Sequence, residues 1–195
     1  MIKGSEKRKA GYPIDRLFVD RWSPRAMSGE SIPEEELLLL FEAARWAPSS
    51  FNNQPWRMLY ARRDTEHWPL FLDLLVEFNK SWAKNAAALI VFISKTTFDH
   101  NDEPSVTHSF DTGAAWQNLA LQASLKNLVA HGMQGFDYEK AKTTLKIPDG
   151  FRVEAMAVIG KPGKKEALPE KLQERETPND RRNLSEIVFE GPYRG

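Results

Sequence analysis

The segment from Thr112 to Leu125 constrains the fold more than any other part of the sequence. It contains no charged residue, and at helical periodicity its apolar and small side chains cover most of the circumference. A helix that is apolar nearly all round must be buried nearly all round. A chain of 195 residues forms one domain, whose core can hardly surround such a helix. We expect Asp111 to cap this helix and a second subunit to supply the missing cover.

Other segments predict a sheet and two further helical regions. Residues 87–94 are apolar at both parities, which indicates a central strand covered on both faces. Residues 57–62 and 151–159 alternate as strands do. A helix is predicted to start at a Ser31 cap and to end before Pro48, and residues 66–86 are predicted to be helical with a break near Asn79.

The composition excludes several classes of protein. Lys+Arg and Asp+Glu both number 27, so net charge gives no reason to expect nucleic acid or a membrane as partner. The chain has no cysteine, and its four histidines lack zinc-site spacing, so we expect no metal site. No apolar run reaches the ~18 residues of a membrane span, and the N-terminus lacks a secretory apolar region. A cytoplasmic protein is expected.

The stretch PSSFNNQPW, residues 48–56, concentrates neutral hydrogen-bonding groups between two prolines. Such groups suit the edge of a neutral heterocycle or a polyol chain, which need oriented donors and acceptors. The alternative is a structural loop whose Asn and Ser side chains satisfy their own backbone.

Two arginine motifs lie near opposite ends of the chain. Arg21 and Arg25 flank Ser23, a combination that can grip a phosphate, although two surface arginines in a turn would look the same. Arg181 and Arg182 would take part in phosphate binding only if the fold brings them beside the first pair.

The segment from Gly132 to Gly135 would allow the backbone to approach a flat ligand, or would form a plain turn.

Taken in order, these motifs resemble those of the FMN-dependent nitroreductase family. Arg21-x-Ser23-x-Arg25 is similar to the family's opening motif, and residues 48–56 match its P-S-S-x-N-x-Q-P-W loop at every fixed position. Asn79 falls where the family has a flavin-contacting Asn, and residues 132–136 resemble its G-x-x-G-F turn. The resemblance covers residues 20–195 as a single domain, preceded by an extension of residues 1–19. Within that extension, residues 1 to about 13 are basic and are expected to fray.

The resemblance implies an α+β fold, with a mostly antiparallel sheet flanked by helices. It also implies a homodimer with FMN at the interface, in which the tail LSEIVFE, residues 184–190, adds a strand to the partner's sheet. Residues 21–25 and Arg181 or Arg182 would hold the phosphate, and the 48–56 loop would serve the partner's flavin. The implied FMN-binding residues are Arg21, Trp22, Ser23, Arg25, Pro48, Ser49, Ser50, Asn52, Gln54, Asn79, Gly132, Met133, Gln134, Gly135, Arg181 and Arg182.

The implied activity is hydride transfer from NAD(P)H to FMN and then to a nitroaromatic, quinone or enone by ping-pong turnover. No side chain need act as acid or base, because the cofactor carries the hydride chemistry. The alternatives are a non-enzymatic FMN store, a specialised flavin-consuming or dehalogenating enzyme, and a domain without cofactor. The short segment 95–110 predicts a substrate pocket that is open or is covered by the N-terminal extension.

Overall fold

A computed structural model describes residues 2–194, which form a four-stranded antiparallel sheet with helices on both faces. The strands are β1 (Trp56–Arg62), β2 (Ala88–Lys95), β3 (Val129–Met133) and β4 (Phe151–Gly160), in the spatial order β1-β2-β4-β3. The predicted α+β class with an antiparallel sheet is confirmed. β3, which the sequence analysis did not predict, forms one edge of the sheet.

β2 is the central strand that its sequence predicted. Leu89 and Val91 pack into the core on one face of the sheet, while Ile90 and Phe92 pack into the core on the other. All four side chains are almost inaccessible to solvent. Antiparallel pairing with β1 and β4 satisfies the backbone hydrogen bonds of β2 on both sides. Because both faces of β2 are covered, its continuous apolar sequence exposes no apolar surface to solvent.

Seven α-helices surround the sheet in the described chain. They are α1 (Arg16–Asp20), α2 (Glu34–Arg45), α3 (Trp68–Leu72), α4 (Glu77–Ala83), α5 (His108–Leu125), α6 (Tyr138–Thr144) and α7 (Glu170–Gln173). α5 packs beside α2, where the Asn118 amide donates to the Ala43 carbonyl at 3.2 Å. Among the residues described, no helix is long and apolar enough to cross a membrane.

α5 begins earlier than predicted and is covered on only part of its surface. Thr107 is its N-cap, and Asp111 lies buried in the first turn, so the prediction of an Asp111 cap was wrong. The Asp111 carboxylate instead accepts hydrogen bonds from other groups, described below with the loop. Ala115 and Leu119 are fully buried, whereas Phe110 is 79% and Leu125 63% exposed. One chain therefore leaves both ends of this apolar helix partly uncovered.

Two other helix boundaries differ from prediction. Pro33, not Ser31, is the N-cap of α2, and no side chain caps that end. The break in residues 66–86 lies before α4 rather than near Asn79, because Leu75 pairs with Phe136 and the Val76 N–H donates to the Gly135 carbonyl. This earlier break places Asn79 inside α4.

The N-terminal residues are packed rather than frayed. Gly4 lies so close to the chain that an added Cβ would be 1.9 Å from the Val19 carbonyl oxygen, so only glycine fits there. The Trp22 indole donates to the Ile2 carbonyl at 2.9 Å. The first residues are thus held against the segment that carries Arg21.

The C-terminal region divides into a docked part and an exposed part. Residues 164–182 are highly charged and contain two prolines, a composition that predicts an exposed linker. Leu168 and Leu172 are nevertheless buried in the core, so that prediction is wrong for α7 and the residues just before it. The tail beyond it forms a short 3-10 turn at Leu184–Glu186, and Leu184, Ile187 and Val188 are exposed. Within one chain the tail is not a strand, and its predicted docking on a partner stays a prediction.

Candidate cofactor site

Five arginines from distant parts of the sequence converge on one cavity of about 660 Å³, here called the arginine cavity. It is lined by Arg8, Arg21, Trp22, Ser23, Arg25, His131, Arg175, Thr177, Asn179 and Arg181. Of the two arginines predicted from the C-terminal motif, Arg181 lines it and Arg182 does not. No carboxylate stands among its lining residues, so its charge is strongly positive.

The C-terminal segment that carries Arg175 is fixed to the Arg21–Arg25 segment. Glu176 Oε1 accepts the backbone N–H groups of Arg25 and Ala26 at 2.7 and 2.8 Å. A carboxylate that accepts two backbone amides holds both segments in register, because each charge-assisted bond is stronger than a neutral one. The fold thus brings the two sequence motifs together, as their proposed shared role requires.

The arginines of this cavity are held close to one another, and no carboxylate lines the cavity. Burial, followed by the charges of Arg181 and Arg8, lowers the pKa of Arg21. Burial and Arg181 also lower the pKa of Arg8, against a smaller opposing effect of Asp180. The Nε atoms of Arg8 and Arg25 are buried without a hydrogen-bond partner. A bound anion would satisfy these donors and relieve the repulsion, so the cavity fits a phosphate.

Arg8 and Arg21 are oriented by specific hydrogen bonds. Arg8 Nη1 donates to the carbonyls of Val19 and Arg21 at 3.3 and 3.1 Å. Arg21 Nη1 donates to Ser23 Oγ at 3.2 Å, so these two polar groups of the motif are in direct contact. Guanidinium groups fixed in this way lose less side-chain entropy on binding an anion.

His131 is neutral in the wall of the arginine cavity. Its Nδ1 lies 2.9 Å from the Pro24 carbonyl, an arrangement in which Nδ1 carries the proton and donates. Burial lowers the pKa of His131 to about 4, with Arg25 and Arg21 adding to the effect. Its ring packs against the Trp82 ring in a tilted arrangement, with centroids 4.8 Å apart. His131 therefore shapes the cavity without adding a sixth positive charge.

A second cavity of about 410 Å³, here called the β3 cavity, opens beside the same edge strand. Gly132, Met133 and Gln134 line it, together with Phe92, Ser109, Thr112, Gly113, Trp116, Glu154, Ala155 and Met156. A Cβ on Gly132 would approach the Trp116 ring to 3.2 Å, so glycine keeps this wall open. His131 and Gly132 are consecutive in β3 and line different cavities, since neighbouring strand positions face opposite ways.

Asn79 and Gly135 are joined at the end of β3. The Asn79 side-chain amide donates to the Gly135 carbonyl at 3.0 Å. A Cβ on residue 135 would lie 2.6 Å from that amide nitrogen, so the contact requires glycine. The pair fixes the turn that follows Met133 and Gln134, which supports its predicted place beside a flat ligand.

The 48–56 loop lines neither cavity of this chain and has strained backbone. Phe51, Asn52 and Gln54 have φ angles of 50°, 53° and 48°, which side-chain-bearing residues adopt at a cost of ~1–2 kcal/mol each. The Phe51 ring is 82% exposed. None of Pro48, Ser49, Ser50, Asn52 and Gln54 lines either cavity of this chain.

Hydrogen bonds hold this loop in its strained conformation. The Ser50 N–H donates to Asp111 Oδ2 at 3.1 Å, and the Thr107 hydroxyl donates to the same oxygen at 3.2 Å. The Gln54 amide donates to Asn52, and its backbone N–H donates to Ser49 Oγ. These bonds are what the structural alternative predicted for the loop, but that alternative does not explain the strain or the exposed ring.

Five lining residues of the arginine cavity were missed by sequence reasoning, namely Arg8, Arg175, His131, Thr177 and Asn179. Arg8 stands in the N-terminal segment predicted to fray, and Arg175 stands in a charged segment whose composition favours an exposed linker. His131 stands in an unpredicted strand. No local motif marks any of them, because only the packing of Gly4 and of α7 brings the first two to the cavity.

Comparison with known proteins places the chain in a family. The sequence model of the nitroreductase family matches residues 19–75 and 69–161, which together span more than half of the chain. The chain therefore belongs to the nitroreductase family, and its fold and class are those of an oxidoreductase of that family.

Solved structures and a curated relative agree with this assignment. A structure described as an oxidoreductase containing FMN is 51% identical and superposes with a TM-score of 0.93 over 96% of each chain. A candidate nitroreductase from Desulfovibrio desulfuricans, solved in complex with FMN, is 25% identical with a TM-score of 0.71, covering 95% of this chain and all of that one. A Streptomyces coelicolor protein named as a candidate NADH dehydrogenase/NAD(P)H nitroreductase is 25% identical over 170 residues, 76% of this chain and 85% of the relative.

Proposed function

We propose that this chain binds FMN and passes hydride equivalents from NAD(P)H to a small organic acceptor, such as a nitroaromatic, quinone or enone. The arginine cavity is the observation that carries the proposal. Three of its arginines, Arg8, Arg21 and Arg25, are half-buried, the charges of the arginines repel one another, and two Nε atoms lack hydrogen-bond partners, as suits a site for a phosphate dianion. The FMN in two structurally similar proteins supports the identity of the ligand.

Different residues of the site would contact different parts of FMN. Arg8, Arg21, Arg25 and Arg181 would hold the phosphate, with Ser23 as a further donor. The 132–135 turn would face the ring, positioned by Asn79. Bound FMN would supply the capacity to accept a hydride and to donate it again, which no side chain of this protein has.

A homodimer completes the proposed site. The 48–56 loop presents neutral polar groups at the surface, away from the cavities of its own chain. Phe110 and Leu125 at the ends of α5, with the apolar tail 184–189, leave an extended apolar surface for a second copy to cover. We propose that the loop reaches the flavin of the partner subunit and that the tail docks on the partner.

A nicotinamide would reduce bound FMN and an acceptor would then oxidise it, with the two molecules occupying the same pocket in turn. This ping-pong order predicts that NAD(P)H bleaches the flavin under anaerobic conditions without any acceptor, and that a quinone then restores the colour. The name of the Streptomyces coelicolor relative supports a nicotinamide as the reductant.

Purified protein, reconstituted with FMN, should show the absorbance bands of bound flavin, and NADH or NADPH should bleach them. Retention of flavin without bleaching by either nicotinamide would favour an FMN store. Failure to retain flavin at micromolar FMN would reject the proposal.

A further inference from the structure

Four polar side chains form a closed hydrogen-bonded cluster that the proposed cofactor binding does not use. Glu154 Oε1 on β4 lies 2.6 Å from Ser94 Oγ and 2.7 Å from Ser109 Oγ. His108 Nδ1 lies 2.7 Å from Ser94 Oγ and 3.3 Å from Glu154 Oε1. His108 and Glu154 are about five-sixths buried, and Ser94 is fully buried.

The hydrogen bonds of this cluster run in one direction. Each serine has one hydroxyl proton, and both hydroxyls donate to Glu154 Oε1. Ser94 Oγ must then accept from His108 Nδ1, so Nδ1 carries a proton. A chain of donors thus leads from His108 through Ser94 to Glu154.

The charges that face Glu154 come from three elements. Arg152 Nε on β4 lies 3.8 Å from Glu154 Oε2, His108 approaches from α5, and Tyr138 approaches from α6. Burial and the charge of Glu154 raise the pKa of Tyr138, so that phenol stays neutral. The Glu154 carboxylate therefore has Arg152 and His108 as partners for its charge.

The cluster opens into the cavity where the reaction is proposed to occur. Glu154 and Ser109 line the β3 cavity, together with Gly132, Met133 and Gln134. Electron acceptors such as quinones need a proton as well as a hydride, and the described lining residues of that cavity include one carboxylate, Glu154.

We propose that Glu154 is the proton donor to the acceptor, with His108 as its proton reservoir through Ser94. This inference rests on the proposed function, whose flavin–nicotinamide couple supplies the hydride. A quinone that has gained a hydride bears one negative oxygen. The new O–H bond forms there with a proton from Glu154, His108 replaces that proton through the Ser94 hydroxyl, and His108 regains one from solvent.

The first test separates proton-requiring from proton-free oxidation of the reduced enzyme. In stopped-flow experiments with FMN-loaded, pre-reduced protein, Glu154→Gln should slow reduction of benzoquinone by about 100-fold, a typical contribution of a general acid. Oxidation by ferricyanide, which takes electrons but no proton, should change by less than about twofold, since it needs no acid. Glu139→Gln, an exposed carboxylate on α6, serves as the matched control and should alter neither rate.

Two outcomes would overturn the assignment. Equal slowing with both oxidants would mean that Glu154 only supports the fold, and unchanged rates with both would mean that another group supplies the proton. Ser94→Ala should slow the quinone reaction alone, by a smaller factor, because it interrupts the path to His108. A wild-type protein that fails to bind FMN would instead reject the proposed function, before any variant is compared.

A binding measurement provides a readout that does not depend on turnover. The Glu154 carboxylate should accept the O–H of phenol, so Glu154→Gln in the oxidised, FMN-loaded protein should weaken phenol binding by roughly tenfold. Anisole has the same ring without the donor, and its affinity should stay unchanged. An equal loss for both ligands, or no loss for phenol, would show that Glu154 does not face the acceptor.

Discussion

The arginine cavity and the 48–56 loop are the two most polar parts of the proposed site, and they are built in opposite ways. The cavity is assembled inside one chain from four separate segments, and its donors converge. The loop is one continuous segment with strained backbone, and its polar residues line neither cavity of that chain. The difference is the basis for our proposal that the charged end of the ligand is held within one subunit and that the neutral end of the site is completed by the other.

The largest expected effect is the loss of stability at acid pH that follows from the burial of His131 in the wall of the arginine cavity. The pKa of His131 is lowered to about 4 from 6.5, so the unfolded chain binds the proton first as the pH falls. Stability present above pH 6.5 is therefore lost progressively down to about pH 4, by about 3 kcal/mol in all. Urea unfolding of His131→Asn should lack this component of the acid destabilisation. Parallel pH profiles of the variant and the wild type would show that His131 titrates as an exposed group.

Removal of a phosphate contact should have the next largest effect. Arg21→Ala should weaken FMN binding by about 1.5–3 kcal/mol, or roughly tenfold to a hundredfold, because a charge-assisted bond is lost. Riboflavin, which lacks the phosphate, should lose little affinity in a fluorescence titration. Arg182→Ala is the matched control, since Arg182 does not line the cavity, and it should bind FMN as the wild type does. Equal losses of affinity for FMN and for riboflavin would show that Arg21 does not contact the phosphate.

The loop depends on a single buried carboxylate for its conformation. Asp111→Ala would leave the Ser50 N–H and the Thr107 hydroxyl without their acceptor, at a cost of about 1–2 kcal/mol in unfolding free energy. Asp149→Ala, which removes a carboxylate that is 99% exposed, should cost far less. Chemical denaturation of both variants measures the difference. Similar values for the two would mean that Asp111 does not hold the loop.

Arg8 extends the cavity beyond the recognised motifs, and its removal should have the smallest effect of this series. Arg8→Ala should weaken FMN binding by about 1 kcal/mol, since the side chain is less buried than that of Arg21. Lys9→Ala removes a neighbouring exposed charge and should leave affinity unchanged. Identical small losses for both would point to a general effect of net charge rather than to a contact in the cavity.

Local sequence predicted the elements whose physical reasons are local. The apolar run of residues 87–94 predicted a strand covered on both faces, and the Arg21–Ser23–Arg25 spacing placed three donors together. Boundaries set by tertiary contacts were not predictable. Asp111 was expected to cap α5, but it is instead buried under the loop. The break expected at Asn79 occurs earlier, because Leu75 pairs with Phe136, a residue distant in sequence.

The missed cavity residues share the same cause. Arg8 and Arg175 reach the cavity because Gly4 packs against Val19 and because Leu172 is buried, and neither contact leaves a local signature. Charged segments with few apolar residues look like solvated linkers, although two buried leucines are enough to dock this one. The resemblance to a family supplied the pairing of the two arginine motifs, which no spacing in the sequence could have given.

The division of the site between two chains is most directly tested by mixing two inactive dimers. Arg25→Ala should damage the cavity, and Asn52→Ala with Gln54→Ala should damage the loop. If the two regions serve different flavins, a mixed dimer collects all defects in one site and leaves the other intact. Random pairing after joint unfolding and refolding makes about half the dimers mixed, so activity should recover to about a quarter of the wild-type value. No recovery, with mixed dimers confirmed by mass, would contradict the account and place the loop at the flavin of its own chain.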